Sequence, residues 1–169
     1  MNSDCILEDF IIQGEEMAVF HPQSINTCRF VSYIGNDGEA HPLFSTIRTG
    51  VGDSIVDNVG SGGITALVDI DTGIICTDGM RGINWYEKHP DSGVVFKGYQ
   101  LPDWNELRAF IKSAHETRPQ QKLLGWDMAW TVNNGWDVVE INPAPAFSSY
   151  QRLTGKGIRK YISSIGLYD

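Results

Sequence analysis

An α+β fold, with a mainly antiparallel sheet and a few helices, follows from three observations in this chain of 169 residues. Alternating apolar and polar runs flank short turn sequences, as at Gly35-Asn36-Asp37-Gly38 and Asn133-Asn134-Gly135. One stretch, residues 103–118, has clear helical periodicity. It stands between two groups of strands, an order that predicts α+β architecture with antiparallel pairing.

Residues 6–10 read as a short strand. Residues 11–20 read as a helix ended by His21-Pro22, because the residue before a proline is pushed out of helical backbone. Residues 27–34 and 43–48 form a hairpin around the first glycine-bounded turn. A further pair, 64–70 and 74–77, is expected around Asp71-Thr72-Gly73. The 82–98 stretch, with Pro90 and Gly93, reads as loop. In the 103–118 helix, Asp103 stands at the N-cap and Glu106 three residues on, with Leu107, Phe110, Ile111 and Ala114 supplying the apolar stripe. Pro119 follows its end. Residues 157–165 predict a second helix.

The most informative stretch is Gly125-Trp126-Asp127 followed by Glu140-Ile141-Asn142-Pro143. A turn at Asn134-Gly135 sets Asp127 opposite Asn142, with Glu140 on the diagonal; a turn at Asn133-Asn134 sets Asp127 opposite Glu140. Side chains alternate along strands with period two, so either register puts all three on one face. The other face then takes Leu124, Trp126, Met128 and Trp130. A one-residue change in loop length would destroy the arrangement. Two carboxylates and an amide are hard oxygen donors, a set suited to magnesium held together with nucleotide phosphates. The bland alternative is a solvated outer face, whose carboxylates repel each other and whose replacement leaves the fold intact or stabilises it.

Arg29 and Arg48 lie near the ends of neighbouring strands, where a guanidinium can hold phosphate or carboxylate oxygens bidentately or pair with an acid of the chain. Asp57-Asn58 opens a glycine-rich loop ending Gly62-Gly63, whose backbone N–H groups are able to cradle an anion. No Gly-Lys-Ser/Thr follows, so it is not a Walker-type loop. His89 reads as a loop histidine, with a substrate contact as the alternative, and Gln151 and Lys156 as part of a solvated polar stretch, with a reach into the site as theirs.

The composition, 41% hydrophobic and 20% charged, is that of a folded single domain spanning 1–169. A net charge of −8 argues against nucleic acid as the partner, since phosphate backbones demand clustered lysine and arginine. No run reaches the about 20 apolar residues of a membrane helix, and the start lacks a signal-peptide pattern. Cys5, Cys28 and Cys76 have neither metal-ligand nor disulfide spacing and read as reduced. The expected setting is cytoplasmic.

Asp127 with Glu-x-Asn at 140–142 resembles the metal-binding end of ATP-grasp enzymes. An ordered set of further motifs resembles the sugar-transfer-associated ATP-grasp family: Ser24-Ile25-Asn26-Thr27-Cys28-Arg29, Ile47-Arg48-Thr49-Gly50, Val56-Asp57-Asn58 with Gly62-Gly63-Ile64, His89-Pro90 and Gln100-Leu101-Pro102-Asp103-Trp104. The resemblance implies a domain using ATP and Mg2+, with Asp127, Glu140 and Asn142 as metal ligands. It implies Arg29 and Arg48 as the cations of the transfer step. Glu8, Asn26, Asp57 and Asn58 would contact the nucleotide, Glu8 from a hinge strand. ATP-grasp members activate a carboxylate as an acyl phosphate and pass it to a nucleophile. The family name associates this member with polysaccharide or glycan biosynthesis. The resemblance maps to the carboxy-terminal half of an ATP-grasp module, so the amino-terminal subdomain is expected to be absent here, through truncation or because a partner chain supplies it, and a homo-oligomer is one way to cover the face it would leave. The alternative is a non-catalytic module that binds a nucleotide or a sugar phosphate.

Overall fold

A computed structural model describes residues 10–54 and 62–167. Seven strands of the described residues form one sheet in the order β5-β4-β3-β2-β1-β6-β7, with every pairing antiparallel. In chain order these are β1 (Thr27–Ile34), β2 (Ala40–Thr49), β3 (Ile64–Val68), β4 (Gly79–Arg81), β5 (Asn84–Tyr86), β6 (Leu123–Thr131) and β7 (Gly135–Asn142). Four short helices accompany them: α1 (Glu15–Ala18), α2 (Trp104–Glu116), α3 (Ser148–Thr154) and α4 (Arg159–Ser164). The predicted α+β class with an antiparallel sheet is the fold observed.

Alternation along the central strands divides the sheet into two faces. Cys28 and Phe30 of β1, Ile47 of β2, Ile64, Ala66 and Val68 of β3, and Leu124, Trp126 and Met128 of β6 pack into one core. The helix α2 covers this face with Trp104, Leu107, Ile111 and His115, spaced three to four residues apart as a helical stripe requires. Phe110, predicted to join that stripe, is exposed instead. The opposite face carries a smaller core, Val31, Leu43 and Phe44 against Ile158 and Ile162 of the C-terminal segment. Between that small core and the outer strands lies the polar patch described below.

Several elements differ from the sequence-based expectations. The helix expected over 11–20 is reduced to α1, because residues 12–14 pair with the end of β6. Val132 N–H donates to Ile12 O and Gly14 N–H to Trp130 O, at 3.1 and 2.8 Å. The segment 74–77 meets β3 at an isolated bridge, Val68–Ile75, and through Leu67 N–H, which donates to Thr77 Oγ1, while β4 takes the next place in the sheet. The expected loop 82–98 contains β5. Asp103 caps α2 through its main-chain carbonyl, which accepts from Glu106 and Leu107, and not through its carboxylate. The polar stretch after Pro145 forms α3, whose end is marked by Gly155 at φ 65, the conformation glycine adopts at no steric cost. The strand expected over 6–10 lies outside the described residues.

Gly73 shows how tightly the α2 face is packed. It turns the chain at φ +76, and a Cβ there would lie 2.6 Å from Trp104 Cδ2 and 2.7 Å from Trp104 Cβ. Trp104 has little room to move, since its Nε1 donates to Ile70 O at 3.0 Å. Strain of the left-handed conformation and overpacking add, so Gly73→Ala is expected to lower the unfolding free energy by about 2–4 kcal/mol. Urea denaturation measures it; a change under about 0.5 kcal/mol would show that the indole can shift freely.

Candidate functional site

The geometry of the β6–β7 hairpin decides which side chains meet. Neither two-residue turn forms. Thr131 pairs with Gly135, leaving Val132, Asn133 and Asn134 as a three-residue loop. Gly135 takes φ +73, the left-handed residue that closes such loops. Thr131 Oγ1 donates to Gly135 O and accepts from Asn134 N–H, at 3.1 and 3.3 Å. Asn134 Nδ2 donates to Asp137 Oδ2 at 3.1 Å. This odd loop length alone would set Asp127 opposite Val139 and turn Glu140 to the other face. A register shift after Asp127 inserts one extra residue on β7 and restores the parity. Asp127 therefore faces Glu140, and Gly125 faces Asn142, so the second of the two predicted registers holds around the carboxylates, reached by a different turn.

Cross-strand pairing then builds rows of side chains across the sheet. One row runs Leu67, Thr46, Arg29, Asp127, Glu140 from β3 to β7. The adjacent row runs Thr65, Arg48, Thr27, Ala129, Asp137. The two predicted arginines and the two predicted carboxylates are thus on one face within two rows. Arg29 Nε donates to Asp127 Oδ1, and Arg29 Nη2 to Asp127 Oδ2 at 2.8 Å. Arg48 Nη2 reaches the same Oδ2 at 2.8 Å and also donates to Thr27 Oγ1 at 2.8 Å. Arg29 and Arg48 are thereby paired with an acid of the chain itself, the alternative open to them in the sequence.

The electrostatics of this cluster are lopsided. Burial pushes the Asp127 carboxyl up, but the Arg29 hydrogen bond and the charges of Arg48 and Arg29 outweigh it and hold the group below the usual carboxylate range. Asp127 is 7% exposed as a side chain and each arginine 16%, so solvent screens the cluster weakly. Glu140 is exposed beside it. Asn142 Oδ1 accepts from Ala144 N–H at 2.9 Å, which bends the chain into the Pro143–Pro145 segment. That segment crosses the sheet where Gly125 leaves room, since a Cβ at Gly125 would lie 2.7 Å from Pro145 Cβ and 3.5 Å from Arg29 Cδ.

A cavity of about 500 Å³ opens above the cluster, lined by Arg29, Thr46, Arg48, Asp127, Glu140 and, from the α3 side, Ser148, Ser149 and Arg152. The α3 residues were not among the sequence candidates. Their only signals were Gly155 after the last turn of a helix and the serines at its start. Both are local marks of a helix and not of a site. Asn26, predicted as a nucleotide contact, does not line the cavity. Its carboxamide is buried, donating to Gln13 Oε1, Met17 O and His21 O at 2.9 Å each. Glu8, Asp57 and Asn58 lie outside the described residues.

His89 lies in a loop, as expected, but its side chain is buried. Its Nε2 donates to Gly50 O at 2.8 Å while Nδ1 accepts from Asp91 N–H at 3.3 Å. Burial lowers its pKa, against the raising effects of the Gly50 carbonyl and Asp91. With His21, whose Nε2 donates to Gly52 O at 2.8 Å, it fixes the backbone where β2 leaves the sheet. Burial also pushes the Cys28 thiol up to about 12, which removes it as a nucleophile.

The donor set fits a hard divalent cation in part. Asp127 and Glu140 are adjacent oxygen donors on one face, and the described residues hold no group of three or more His, Cys, Asp or Glu that would enclose a metal alone. An ion here would need further oxygens, as magnesium bound with substrate phosphates does. The arginines on the same face suit oxyanions. Among the described residues, no helix is long and apolar enough to cross a membrane. No curated protein and no solved structure matches the chain. The family model for sugar-transfer associated ATP-grasp matches residues 1–166, nearly the whole chain, and the protein belongs to that family as an ATP-grasp-type, ligase-like domain.

Proposed function

We propose that this domain takes part in a Mg-ATP-dependent, carboxylate-activating ligation associated with polysaccharide or glycan synthesis in the cytoplasm. The observation that carries the reading is the cross-strand pair Asp127–Glu140 beside two arginines in one cavity. Asp127 and Glu140, with Asn142 at the same end of the hairpin, would hold Mg2+. When bound, the metal would screen the charge on the transferred phosphoryl group. Arg29 and Arg48 orient an anionic substrate and offset negative charge that develops on its oxygens. Thr27 keeps the Arg48 fork aimed along the sheet through its hydroxyl. Ala146 and α3 wall the cavity on one side. Glu8, Asp57 and Asn58 remain nucleotide contacts in this proposal, and Asn26 becomes a residue that holds the fold.

Glu140 is the residue for the test, because it is exposed and its replacement leaves the buried Arg–Asp cluster intact. Calorimetric titration of the chain with ATP is expected to show binding that requires Mg2+ and that Glu140→Gln weakens by about tenfold or more. ATP binding indifferent to both Mg2+ and Glu140, or no Mg2+-dependent binding by well-folded protein, would sink the reading.

A further inference from the structure

The cavity holds its cation-binding and anion-binding groups in direct competition. Asp127 accepts Arg29 Nε at Oδ1, and the Nη2 atoms of both arginines at Oδ2. A carboxylate offers about four lone-pair sites, so these bonds engage most of them. The same bonds engage the fork of Arg29. A divalent cation arriving at Asp127 competes with guanidinium donors for its oxygens, and an oxyanion arriving at Arg29 or Arg48 competes with that carboxylate for theirs. Each arrival sets free what the other needs.

A third arginine makes room for the anion. Arg152 lines the same cavity from α3, beside Ser148, Ser149 and Thr46 across from Arg48. Its guanidinium donates to Gly82 O, a neutral carbonyl that leaves its charge uncompensated. Among the described residues the lining holds three arginines against two carboxylates, in a chain of net charge −8. Hydroxyls and arginines together make a donor-rich wall with the chemistry of an oxyanion subsite.

We propose that this is a coupled two-ion site, in which a divalent cation on Asp127 and Glu140 and an oxyanion on Arg29, Arg48 and Arg152 bind with positive cooperativity. The proposal rests on the metal-nucleotide reading above and adds an order to it. Opening the internal Arg–Asp cluster is costly for whichever ion binds first and is already done for the second. By linkage the gain is equal in both directions. The substrate class is a molecule presenting a phosphate or a carboxylate to the arginines. An ion bound without its counterpart is held weakly, which guards the site against idle nucleotide turnover.

Mn2+ is the probe for the cation, followed by loss of the free-ion paramagnetic resonance signal on titration into the full chain. Sulfate and acetate, compared with chloride at equal ionic strength, are the probes for the two anion classes. Sulfate, acetate or both are expected to tighten Mn2+ binding by about fivefold or more, the larger effect identifying a phosphate-like or a carboxylate-like ligand. A protein-free titration in each anion subtracts the signal lost to ion pairing of Mn2+ in solution. Arg152→Gln is expected to shrink the anion effect. Arg48→Gln is expected to tighten Mn2+ binding in chloride, because Asp127 loses a competitor; circular dichroism checks its fold, and Arg152→Gln carries the test if that fold fails. Mn2+ affinity equal or weaker in both anions overturns the coupling and leaves the metal reading standing. No Mn2+ binding under any condition overturns both.

Discussion

Asp127→Ala is expected to lower the unfolding free energy by about 3–5 kcal/mol, the cost of leaving nearly buried guanidinium groups without their counter-charge. Glu140→Ala on the paired strand is expected to change it by less than about 0.5 kcal/mol, as exposed positions do. The two carboxylates face each other in one register, so their contrast isolates the arginine cluster from any general effect of charge on the sheet. Like-charge repulsion, which alone would make removal of either acid stabilising, is outweighed at Asp127 by Arg29 and Arg48. Urea denaturation of both variants reads the difference, and equal small effects would mean that the cluster contributes nothing. The pH dependence has a definite sign. The Asp127 pKa is depressed in the folded chain, so its contribution is fully present above the unfolded value of about 3.9 and is lost as pH falls through the folded value.

Ser32→Ala is expected to cost about 2–5 kcal/mol, because it orphans two buried polar groups at once. Trp126 Nε1 donates to Ser32 Oγ at 2.8 Å, and the Ser32 hydroxyl donates in turn to His115 Nδ1 at 2.8 Å. His115 Nε2 donates to Gln121 O at 2.7 Å, which fixes the tautomer, since a carbonyl only accepts. This chain ties β1, β6 and α2 together beneath the sheet face that carries the site. Burial lowers the His115 pKa, with the Gln121 carbonyl and Glu116 opposing it. The folded value lies below the unfolded one of about 6.5, so this stability is complete above that pH and is lost as pH falls through the folded value. His89 acts in the same sense. Acid unfolding of the wild type is therefore expected to begin on the histidines, before Asp127 titrates. A cost below about 1 kcal/mol for Ser32→Ala, or stability flat from pH 7 to about 5, would contradict this account.

The structure also changes what the arginines mean for catalysis. In the sequence they were cations awaiting a substrate. In the folded chain their partner is the very carboxylate proposed for the metal, in the row of Arg29 and one row from Arg48. On the two-ion proposal, a reaction at this site would reorganise an internal ion pair, and affinities measured here would depend on which ion has already bound. A third guanidinium, from Arg152, supplies positive charge to the same cavity without being tied to that carboxylate.

The sequence by itself determined the elements whose signal is local. The strands β1 and β6 and the 104–111 stripe of α2 were readable because apolar runs and helical spacing are set by neighbours in the chain. The presence of Asp127, Glu140 and Asn142 on one hairpin was readable for the same reason. Tertiary structure decided everything that depended on contacts between distant segments. Residues 12–14 left the helical pattern because β6 offered them backbone partners. The loop of three residues is held by Thr131, Asn134 and Asp137 acting together, and no two-residue turn rule contains that. Arg29 and Asp127 meet across 98 positions of sequence because β1 lies between β2 and β6. Strand order is a choice among competing long-range pairings, settled by the burial of two faces at once, and it alone turned four separately legible residues into one charged cluster.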